Sequence, residues 1–257
     1  MTIQKTVNSE SRDLVSFYEK EALVAHRYDS SRFWESRYHN KKAQLIHKVL
    51  RTKLRKGNFV LDAGCGTGEL SIMATQMGGY VISVDFSKAY LKRLPKTVGD
   101  RVCASLTHLP FKERVFEVVI CADVVEHVYE YDRVVSELHS VSLKTLIVTA
   151  PCEGVFRIIY GKLFPKKIQL LDAKVGHVNI FPLADFAQKL DCENCQVSSR
   201  SYHVIQPIVD NIFPKGMDSI IKVLERFADL ILPHYGTISL ATVSSFTPDE
   251  EKTGALS

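Results

Sequence analysis

The 257-residue sequence contains no uninterrupted apolar run that approaches the ~20 residues of a membrane-spanning helix. Its first residues, MTIQKTVNSESRD, lack the apolar core of a secretory signal. An excess of one charge is also missing, because 33 Lys and Arg stand against 29 Asp and Glu. The resulting net charge of +4 is too small to indicate nucleic-acid binding by itself. These absences predict a soluble, cytoplasmic protein that could still touch a membrane surface.

Cysteine is neither frequent nor arranged in a metal-binding pattern. Most of the six cysteines lie in apolar, strand-like segments, which predicts reduced and buried thiols. One pair, Cys192 and Cys195, has the CxxC spacing, but no second pair or His-x-His partner lies nearby. We therefore expect a solvent-facing turn there rather than a zinc or redox site.

Strand-like and helix-like segments alternate between residues 41 and 151. The predicted strands begin at 59–61 and continue with 80–85, 101–104, 116–122 and 143–151. The predicted helices are 41–54, 69–77, a short helix capped by Ser87 and ending before Pro95, and 126–141. This alternation predicts a parallel, doubly wound sheet with right-handed crossovers.

The alternation loosens beyond residue 151. The pattern there predicts an apolar and basic segment at 155–167, a helix from about Pro182, a strand at 195–206, a helix at 214–232 and a strand at 236–245. No repeat or linker is apparent. We interpret the chain as a leader (1–40), one domain (41–246) with substrate-cap insertions at about 152–175 and 207–234, and a disordered tail (247–257).

The leader concentrates aromatic residues, including the only tryptophan, Trp34. It fits a lid that folds over a ligand, and it equally fits a helical layer packed on the sheet. In the helix that follows, Lys41, Lys42 and further basic residues make one face positive, and we expect that face to be solvated.

The most informative stretch is VLDAGCGTGEL, residues 60–70, which has the pattern strand, tight loop, helix. Gly64, Gly66 and Gly68 would let the backbone turn sharply and approach a ligand. This is not the GxGxxG spacing of dinucleotide-binding proteins, and Asp62 precedes it; a pyrophosphate disfavours that carboxylate, whereas a sulfonium or ammonium tolerates it. Asp85, at the end of the second strand, could accept both hydroxyls of a ribose.

Four motifs in order make the chain resemble the class I S-adenosylmethionine-dependent methyltransferases, particularly the group with the ubiquinone and menaquinone methyltransferases. They are VLDAGCGTG, SVDFS, ASLTHLPF and FEVVICADVVEHV, and the resemblance spans roughly residues 40–190. It implies an α/β fold: a Rossmann-like, doubly wound, mostly parallel seven-stranded sheet with an N-terminal helical lid and C-terminal insertions. It also implies S-adenosyl-L-methionine as cofactor.

The same resemblance assigns cofactor contacts to positions within the motifs. They are Asp62, Gly64, Cys65, Gly66, Gly68, Asp85, Phe86, Ser105, Leu106 and, with Cys121 as the alternative, Ala122. Two features depart from the family: Ser105 stands where Asp is common, and HSVSLKTL replaces a Lys-Pro-Gly-Gly turn before the fifth strand.

The segment after the fourth strand carries the candidate catalytic groups, Glu126 and His127. His127 could remove a proton from a hydroxyl acceptor, or it could simply pack beside the cofactor. The cluster is also similar to the Glu-x-x-Glu-His of metal-assisted O-methyltransferases, with Asp123 in place of the first Glu and His177 as a distal ligand. We assign no metal and leave this alternative open.

The acceptor is the least determined element. Apolar cap segments favour a small, apolar or lipid-like molecule, methylated at oxygen, with possible contact to an anionic membrane face. An RNA methyltransferase and a non-catalytic cofactor-binding regulatory subunit are the alternatives, with nucleic acid ranked lower because the net charge is small. A nicotinamide-dependent oxidoreductase is disfavoured by the loop spacing. The oligomeric state is not predicted.

Overall fold

The structure is a computed structural model that describes residues 33–152, 161–166, 177–179, 182–204, 218–234 and 236–245. The predictions for the leader up to residue 32, for most of the two insertions and for the tail lie outside these residues. No helix within the described ranges has the length and apolar character that crossing a membrane requires.

In the described part of the chain, seven strands form one sheet in the order β3-β2-β1-β4-β5-β7-β6. The strands are β1 (Phe59–Ala63), β2 (Tyr80–Asp85), β3 (Asp100–Cys103), β4 (Phe116–Ala122), β5 (Ser142–Pro151), β6 (Cys195–Tyr202) and β7 (Ile238–Ser245). The first five are parallel, and β7 runs antiparallel to both β5 and β6. The predicted α/β class with a mostly parallel, doubly wound sheet is thereby confirmed.

The described helices flank this sheet. They are α1 (Phe33–Lys53), α2 (Glu69–Gln76), α3 (Lys88–Arg93), α4 (Tyr131–Val141), α5 (Leu183–Lys189) and α6 (Asp218–Ile231). Ser87 caps α3, as expected, by accepting a hydrogen bond from the Tyr90 backbone N–H at 3.3 Å.

Strand alternation divides the core between the two faces of the sheet. Val60, Val118 and Ile120 face the apolar side of α1 and α2. Leu61 and Val119, one position further along their strands, join the cluster formed with α4 and α5. Because both faces of the central strands are covered, they read as continuous apolar runs, as is typical of parallel sheets.

The register of the central strands determines where a ligand can bind. Ala63 lies beside Val84, so the glycine loop after β1 adjoins the end of β2. β4 flanks β1 on its other side, with Ile120 opposite Asp62. The chain changes direction across the sheet between β1 and β4, and in open α/β sheets ligands bind at such a point, outside the carboxyl ends of the strands.

The predicted helix 126–141 is wrong in its first turn. Residues Val125–His127 form a separate 3₁₀ turn, and α4 begins only at Tyr131. The interruption follows Asp123, whose φ of 54° lies in the left-handed region and turns the chain away from the line of β4. It leaves Glu126 and His127 on a short turn at the strand end instead of on a regular helix.

The first helix also differs from the prediction. α1 begins at Phe33, so the expected boundary between leader and domain at residues 40 and 41 falls inside one continuous helix. The expected solvated basic face is wrong for two of its members, because Lys42 is buried and Lys41 pairs with Asp229 at 3.0 Å. Lysines 48 and 53 are exposed, as predicted.

The expectation of reduced, buried cysteines holds for Cys65, Cys121 and Cys152 only. Cys103 is exposed. Cys192 and Cys195 are joined in a disulfide, with their Cα atoms 5.4 Å apart, and both are partly buried against the core rather than on a solvent-facing turn.

Candidate functional site

The glycine loop is built by backbone conformations that L-residues with a side chain rarely adopt. Gly64, Gly66 and Gly68 have φ values of 78°, 49° and 80°. A Cβ at Gly64 would collide with Val124, and one at Gly68 would collide with Leu94. A Cβ at Gly66 would meet no atom of the described residues within 4 Å. The first and third glycines are therefore needed for packing, whereas Gly66 borders open space that a ligand can enter.

Asp85 holds this loop in place from the end of β2. Its Oδ2 accepts a hydrogen bond from the Gly66 N–H at 2.9 Å, and its Oδ1 accepts one from the Ser87 N–H at 2.8 Å. Each carboxylate oxygen can accept more than one hydrogen bond, so both retain capacity for hydroxyl donors. Asp85 thus combines a structural contact with the geometry expected of a ribose-binding acid.

Asp62 lies beneath the loop and is buried. The Ser71 hydroxyl donates to its Oδ2 at 2.6 Å, and the Ser71 and Ser83 hydroxyls are 2.7 Å apart. Burial raises the pKa of Asp62 to about 6, an effect that the Ser71 hydrogen bond partly opposes and the nearby Asp85 charge reinforces. A cationic ligand would lower the pKa of this carboxyl and be attracted to it, because a nearby positive charge favours the ionised form.

The remaining predicted cofactor residues fall into two groups. Phe86 and Ser105 are both exposed. They lie beside Asp85, because Phe86 follows it in sequence and the Ala104 N–H, next to Ser105, donates to the Asp85 carbonyl at 3.2 Å. Cys65 and Leu106 are buried. The Cys65 side chain packs with Leu91 and Leu94, and burial raises the pKa of its thiol, so only its backbone is available to a ligand.

At the end of β4, Ala122 and Cys121 point to opposite faces. The Cys121 side chain belongs to the cluster with α4, and burial raises the pKa of its thiol well above the usual value. Ala122 is only partly buried and packs on the side of α1 and α2. Ala122 is therefore the better placed of the two for a contact with the methionine end of a cofactor.

The two candidate catalytic residues lie together on the 3₁₀ turn. His127 Nε2 is 3.7 Å from Glu126 Oε1, and Glu126 is buried. The His177 ring lies 5.0 Å from the His127 ring, centroid to centroid. One ligand atom from each of these three residues lies within 4.8 Å of the others. The structure thus brings together an acid and two imidazoles that are separated by up to 51 residues.

Residues 177–179 are held over this turn by hydrogen bonds to its backbone. The N–H groups of Val178 and Asn179 donate to the Glu126 carbonyl at 2.8 and 3.0 Å. The Asn179 side chain donates to the carbonyls of Val125 and Val128 at 3.1 and 2.6 Å. This backbone contact fixes His177 beside His127.

Asp123 does not join the Glu126 cluster. Its Oδ2 is paired with Lys42 Nζ at 2.6 Å, and its Oδ1 accepts from the Thr149 hydroxyl at 3.0 Å. Burial would raise the pKa of Asp123, but the charge and hydrogen bond of Lys42 outweigh it and hold the pKa below its usual value. Asp123 therefore anchors α1 across the carboxyl ends of the strands.

A second set of ion pairs attaches α6 to α1 and β6. Arg37 pairs with Glu225 at 2.7 Å, and Lys41 pairs with Asp229 at 3.0 Å. Asp229 also accepts from the His203 N–H at 2.6 Å. The acidic side of α6 consequently faces the body of the protein. Its apolar side is exposed, with 62% of Phe227 and 75% of Leu230 accessible.

Sequence reasoning missed Lys42, Arg37 and Asn179 as organising residues. A signal was present for Lys42, because position 42 shares a helical face with Leu45, Ile46 and Val49, where a lysine is out of place unless it is paired. No local signal identifies Arg37 or Asn179, whose partners lie 188 and 51–54 residues away in sequence.

Comparison with known proteins gives the class to which this arrangement belongs. Residues 61–144 match the methyltransferase domain family. The 2-phytyl-1,4-naphtoquinone methyltransferase of Nostoc punctiforme is 30% identical over 209 residues, which cover 75% of this chain and 82% of that protein. The chain belongs to the class I S-adenosylmethionine-dependent methyltransferases, which confirms the resemblance seen in its motifs.

Two further relatives match a shorter part of the chain, and solved structures are similar at lower identity. The demethylmenaquinone methyltransferase of Lactobacillus johnsonii is 30% identical over 49% of this chain, and an uncharacterized protein of Methanocaldococcus jannaschii is 36% identical over 49%. The chain spans only 59% and 57% of the lengths of these two relatives. The magnesium protoporphyrin IX methyltransferase of Synechocystis, solved with S-adenosylhomocysteine, is 18% identical over 83% of this chain and 85% of its own, with a TM-score of 0.58. That similarity shows a shared fold.

Proposed function

We propose that this protein transfers the methyl group of S-adenosylmethionine to a hydroxyl of a small, apolar or lipid-like acceptor. The observation that carries the proposal is the open space at Gly66, which the Asp85 carboxylate borders. In the same loop, Gly64 packs against Val124, the residue that precedes the turn with Glu126 and His127. A reagent and a base would then meet at the carboxyl ends of adjacent strands.

The residues of the glycine loop and of β2 would bind the cofactor. The backbone at Gly66 leaves room for it, and the Asp85 oxygens would accept hydrogen bonds from its ribose. Phe86, 38% exposed, would pack on the adenine, and Asp62 would favour the positive end of the ligand. Bound there, S-adenosylmethionine supplies a methyl group that is already electrophilic because it is carried by a sulfonium.

His127 would hold the proton that the acceptor loses. Its ring would remove the proton from the hydroxyl, and the resulting imidazolium would be stabilised by the Glu126 carboxylate 3.7 Å away. His177 beside it would limit how far the ring can turn. Alignment of acceptor and methyl group, together with exclusion of water, would provide much of the remaining acceleration.

The same acid and imidazoles could instead hold a divalent ion. Glu126, His127 and His177 offer one carboxylate and two nitrogen ligands within 4.8 Å, a set that suits zinc or iron. Asp123 would take no part, because Lys42 and Thr149 occupy its oxygens. A bound ion would supply a Lewis acid that lowers the pKa of the acceptor hydroxyl. Turnover that is unchanged by a strong chelator would rule out this metal-dependent mechanism.

The apolar character of the acceptor is supported by α6. Its exposed side carries Phe227, Leu230 and further apolar residues, and its acidic side is committed to ion pairs with α1. Lys222 and Arg226 are exposed on the same helix, which is the composition of a helix that lies on an anionic lipid surface. Two relatives are also named as acting on menaquinone-type molecules, and such acceptors are apolar.

RNA is a weaker candidate. It would need the basic and aromatic residues of the leader to face solvent, yet Arg37 is committed to Glu225 with only 10% of its side chain exposed. A purely regulatory subunit would have no need of an open space beside Gly66.

The proposal is tested by incubating the purified protein with methyl-labelled cofactor and a panel of demethylated quinols, phenols, phospholipid vesicles and transfer RNA. We expect the label in a product that partitions into organic solvent, where it is present as the methyl group of a methyl ether. Label on a ring carbon would show that the protein methylates carbon and not oxygen. Label in RNA, or no label despite cofactor binding, would contradict the assigned acceptor or the enzymatic role.

Contact with a membrane is tested separately by sedimentation with anionic vesicles. Phe227→Glu and Leu230→Glu should each reduce binding several-fold, since each places a charge on the apolar side of α6. Lys48→Gln, at an exposed position of α1, also lowers the net charge by one and is the matched control. Equal loss in all three variants would show that charge alone, and not the α6 surface, governs binding.

A further inference from the structure

A second group of metal-ligating side chains lies at the opposite end of the sheet from the cofactor site. It consists of His139, in the last turn of α4, of Cys192, in the connection from α5 to β6, and of Cys195, the first residue of β6. β5 and β6 both start at this edge, because each runs antiparallel to β7. A role for these residues is therefore independent of methyl transfer.

The geometry brings the three side chains into one cluster. One ring nitrogen of His139 and the two sulfurs lie within 4.8 Å of one another. Both cysteines pack against the main core cluster, so they are not a loose surface pair. The ring atom Nε2 of His139 is buried and makes no hydrogen bond, and the Leu190 backbone hydrogen-bonds to the ring. A histidine that ligates a metal commonly uses one nitrogen for the ion and the other for a backbone carbonyl.

We infer that, when its cysteines are reduced, the His139–Cys192–Cys195 cluster binds one zinc ion. Zinc takes thiolate sulfur at about 2.3 Å and imidazole nitrogen at about 2.0 Å, so the two sulfurs, once reduced, would move apart from bonding distance to enclose the ion with His139. The C-x-x-C spacing is common among zinc sites, and water would complete the tetrahedron. Asp191, whose Oδ1 accepts from the Cys192 N–H at 3.0 Å, adds a negative charge beside the cation.

The exchange between the two states needs a two-electron reductant in one direction and a two-electron oxidant in the other. A dithiol reductant gives two electrons and two protons to the Cys192–Cys195 disulfide and becomes a disulfide itself. Zinc then displaces the two thiol protons and is held by two thiolates and the neutral imidazole. In the reverse direction, a small-molecule disulfide takes two electrons from the two thiolates and leaves as two thiolates, which reforms the Cys192–Cys195 disulfide and releases the ion.

The two states differ in what they connect. The disulfide joins residues three positions apart and constrains only its own turn. A zinc ion would join α4 to the α5–β6 connection, which are more than fifty residues apart in sequence. The reduced, zinc-loaded protein should therefore be more resistant to heat than the oxidised protein, although the oxidised one has the covalent bond.

The test uses the full chain, reduced without oxygen by a phosphine, and titrated with Co²⁺ and then Zn²⁺. We expect one equivalent of Co²⁺ to give sulfur-to-metal charge-transfer absorption, and Zn²⁺ to abolish it and raise Tm. His139→Gln should weaken binding at least about tenfold, and the Cys192→Ser/Cys195→Ser double variant should lose the absorption. Cys103→Ser, at an exposed thiol elsewhere, should bind as the unmodified protein does.

The oxidised protein and the double variant both keep Glu126, His127 and His177. Any metal that binds at that cluster therefore contributes equally to all three samples and does not affect the comparison. Absence of charge-transfer absorption in the reduced protein would overturn the inference. Unchanged affinity in His139→Gln would overturn it too, because a dithiol alone would then bind the ion.

Discussion

The proposed cofactor half of the site is the glycine loop with Asp85, and the proposed acceptor half is the turn at Val125–His127 with α1 and α6. Both lie at the carboxyl ends of the parallel strands, but they are built differently. The cofactor half is made of backbone and of residues close in sequence: Gly66 and Asp85 are 19 positions apart. The acceptor half depends on side chains from distant segments, such as Lys42 with Asp123, 81 positions apart, and Arg37 with Glu225, 188 positions apart.

This difference indicates which half of the site tolerates substitutions. The glycine loop depends on backbone conformations that few other residues can adopt, so few substitutions would preserve its binding of one reagent. A surface held by ion pairs of α1 with α6 and with Asp123 can be exchanged without disturbing that loop. Substrate choice would reside in the second kind of structure, and each prediction below separates the two halves.

The largest effect is expected from His127→Ala, once an acceptor is known. Removal of the base should lower kcat by about 10²- to 10⁴-fold, because proton transfer to a positioned side chain contributes a factor of that size. Cofactor affinity, measured by calorimetry, should stay unchanged, and His108→Ala at an exposed histidine is the control. A loss of cofactor binding with normal kcat would place His127 in the cofactor half instead.

Lys42→Met should destabilise the fold by about 3–5 kcal/mol, since it leaves the Asp123 carboxylate buried without its cation. Urea unfolding measures this change, with Lys48→Met, at an exposed position of the same helix, as control. Cofactor affinity of the fraction that remains folded should change little. Stability equal to that of Lys48→Met would show that the buried pair does not organise the acceptor half.

Asp85→Ala should weaken cofactor binding by about 1–3 kcal/mol, because it removes the ribose acceptor together with the hydrogen bonds to Gly66 and Ser87. Asp85→Asn keeps an oxygen for one of these contacts and should lose less. Calorimetry with S-adenosylhomocysteine gives both values. Unchanged dissociation constants would reduce Asp85 to an ordinary strand-end acid.

The smallest effect is a pH dependence of cofactor affinity through Asp62. With the pKa raised to about 6 in the free protein, this carboxyl is largely protonated at pH 5 and ionised at pH 7. A cationic ligand favours the ionised form, so affinity should rise with pH over this window, by less than about tenfold per pH unit. Asp62→Asn should flatten the profile, and an identical rise in that variant would assign it to another group.

The same pKa has a consequence for stability that runs in the opposite direction. The unfolded carboxyl loses its proton near its ordinary value of 3.8, while the folded one keeps it until about 6. Asp62 therefore contributes less to folding as pH rises from about 4 to 6. Bound cofactor would offset this loss.

The contrast between the halves also explains what the sequence could predict. The strands β2 (Tyr80–Asp85) and β4 (Phe116–Ala122) were predicted to the residue, because apolar runs bounded by glycine or acid mark buried parallel strands. The break between His127 and Tyr131 was not, since the apolar periodicity of α4 continues backwards through Val124 and Val128. Lys42 was misjudged because its partner becomes visible only when β4 and α1 are side by side.

The central claim is that the loop at Gly66 with Asp85 holds S-adenosylmethionine, and calorimetric titration of the protein and of Gly66→Val tests it most directly. A Cβ at Gly66 enters space that no atom of the described part of the chain occupies, so the variant should stay folded, with a modest fall in Tm from its strained φ. We predict one cofactor bound per chain by the unmodified protein and at least about 100-fold weaker binding by the variant, or about 3 kcal/mol. No binding by the unmodified protein, or equal binding by both, would contradict the account.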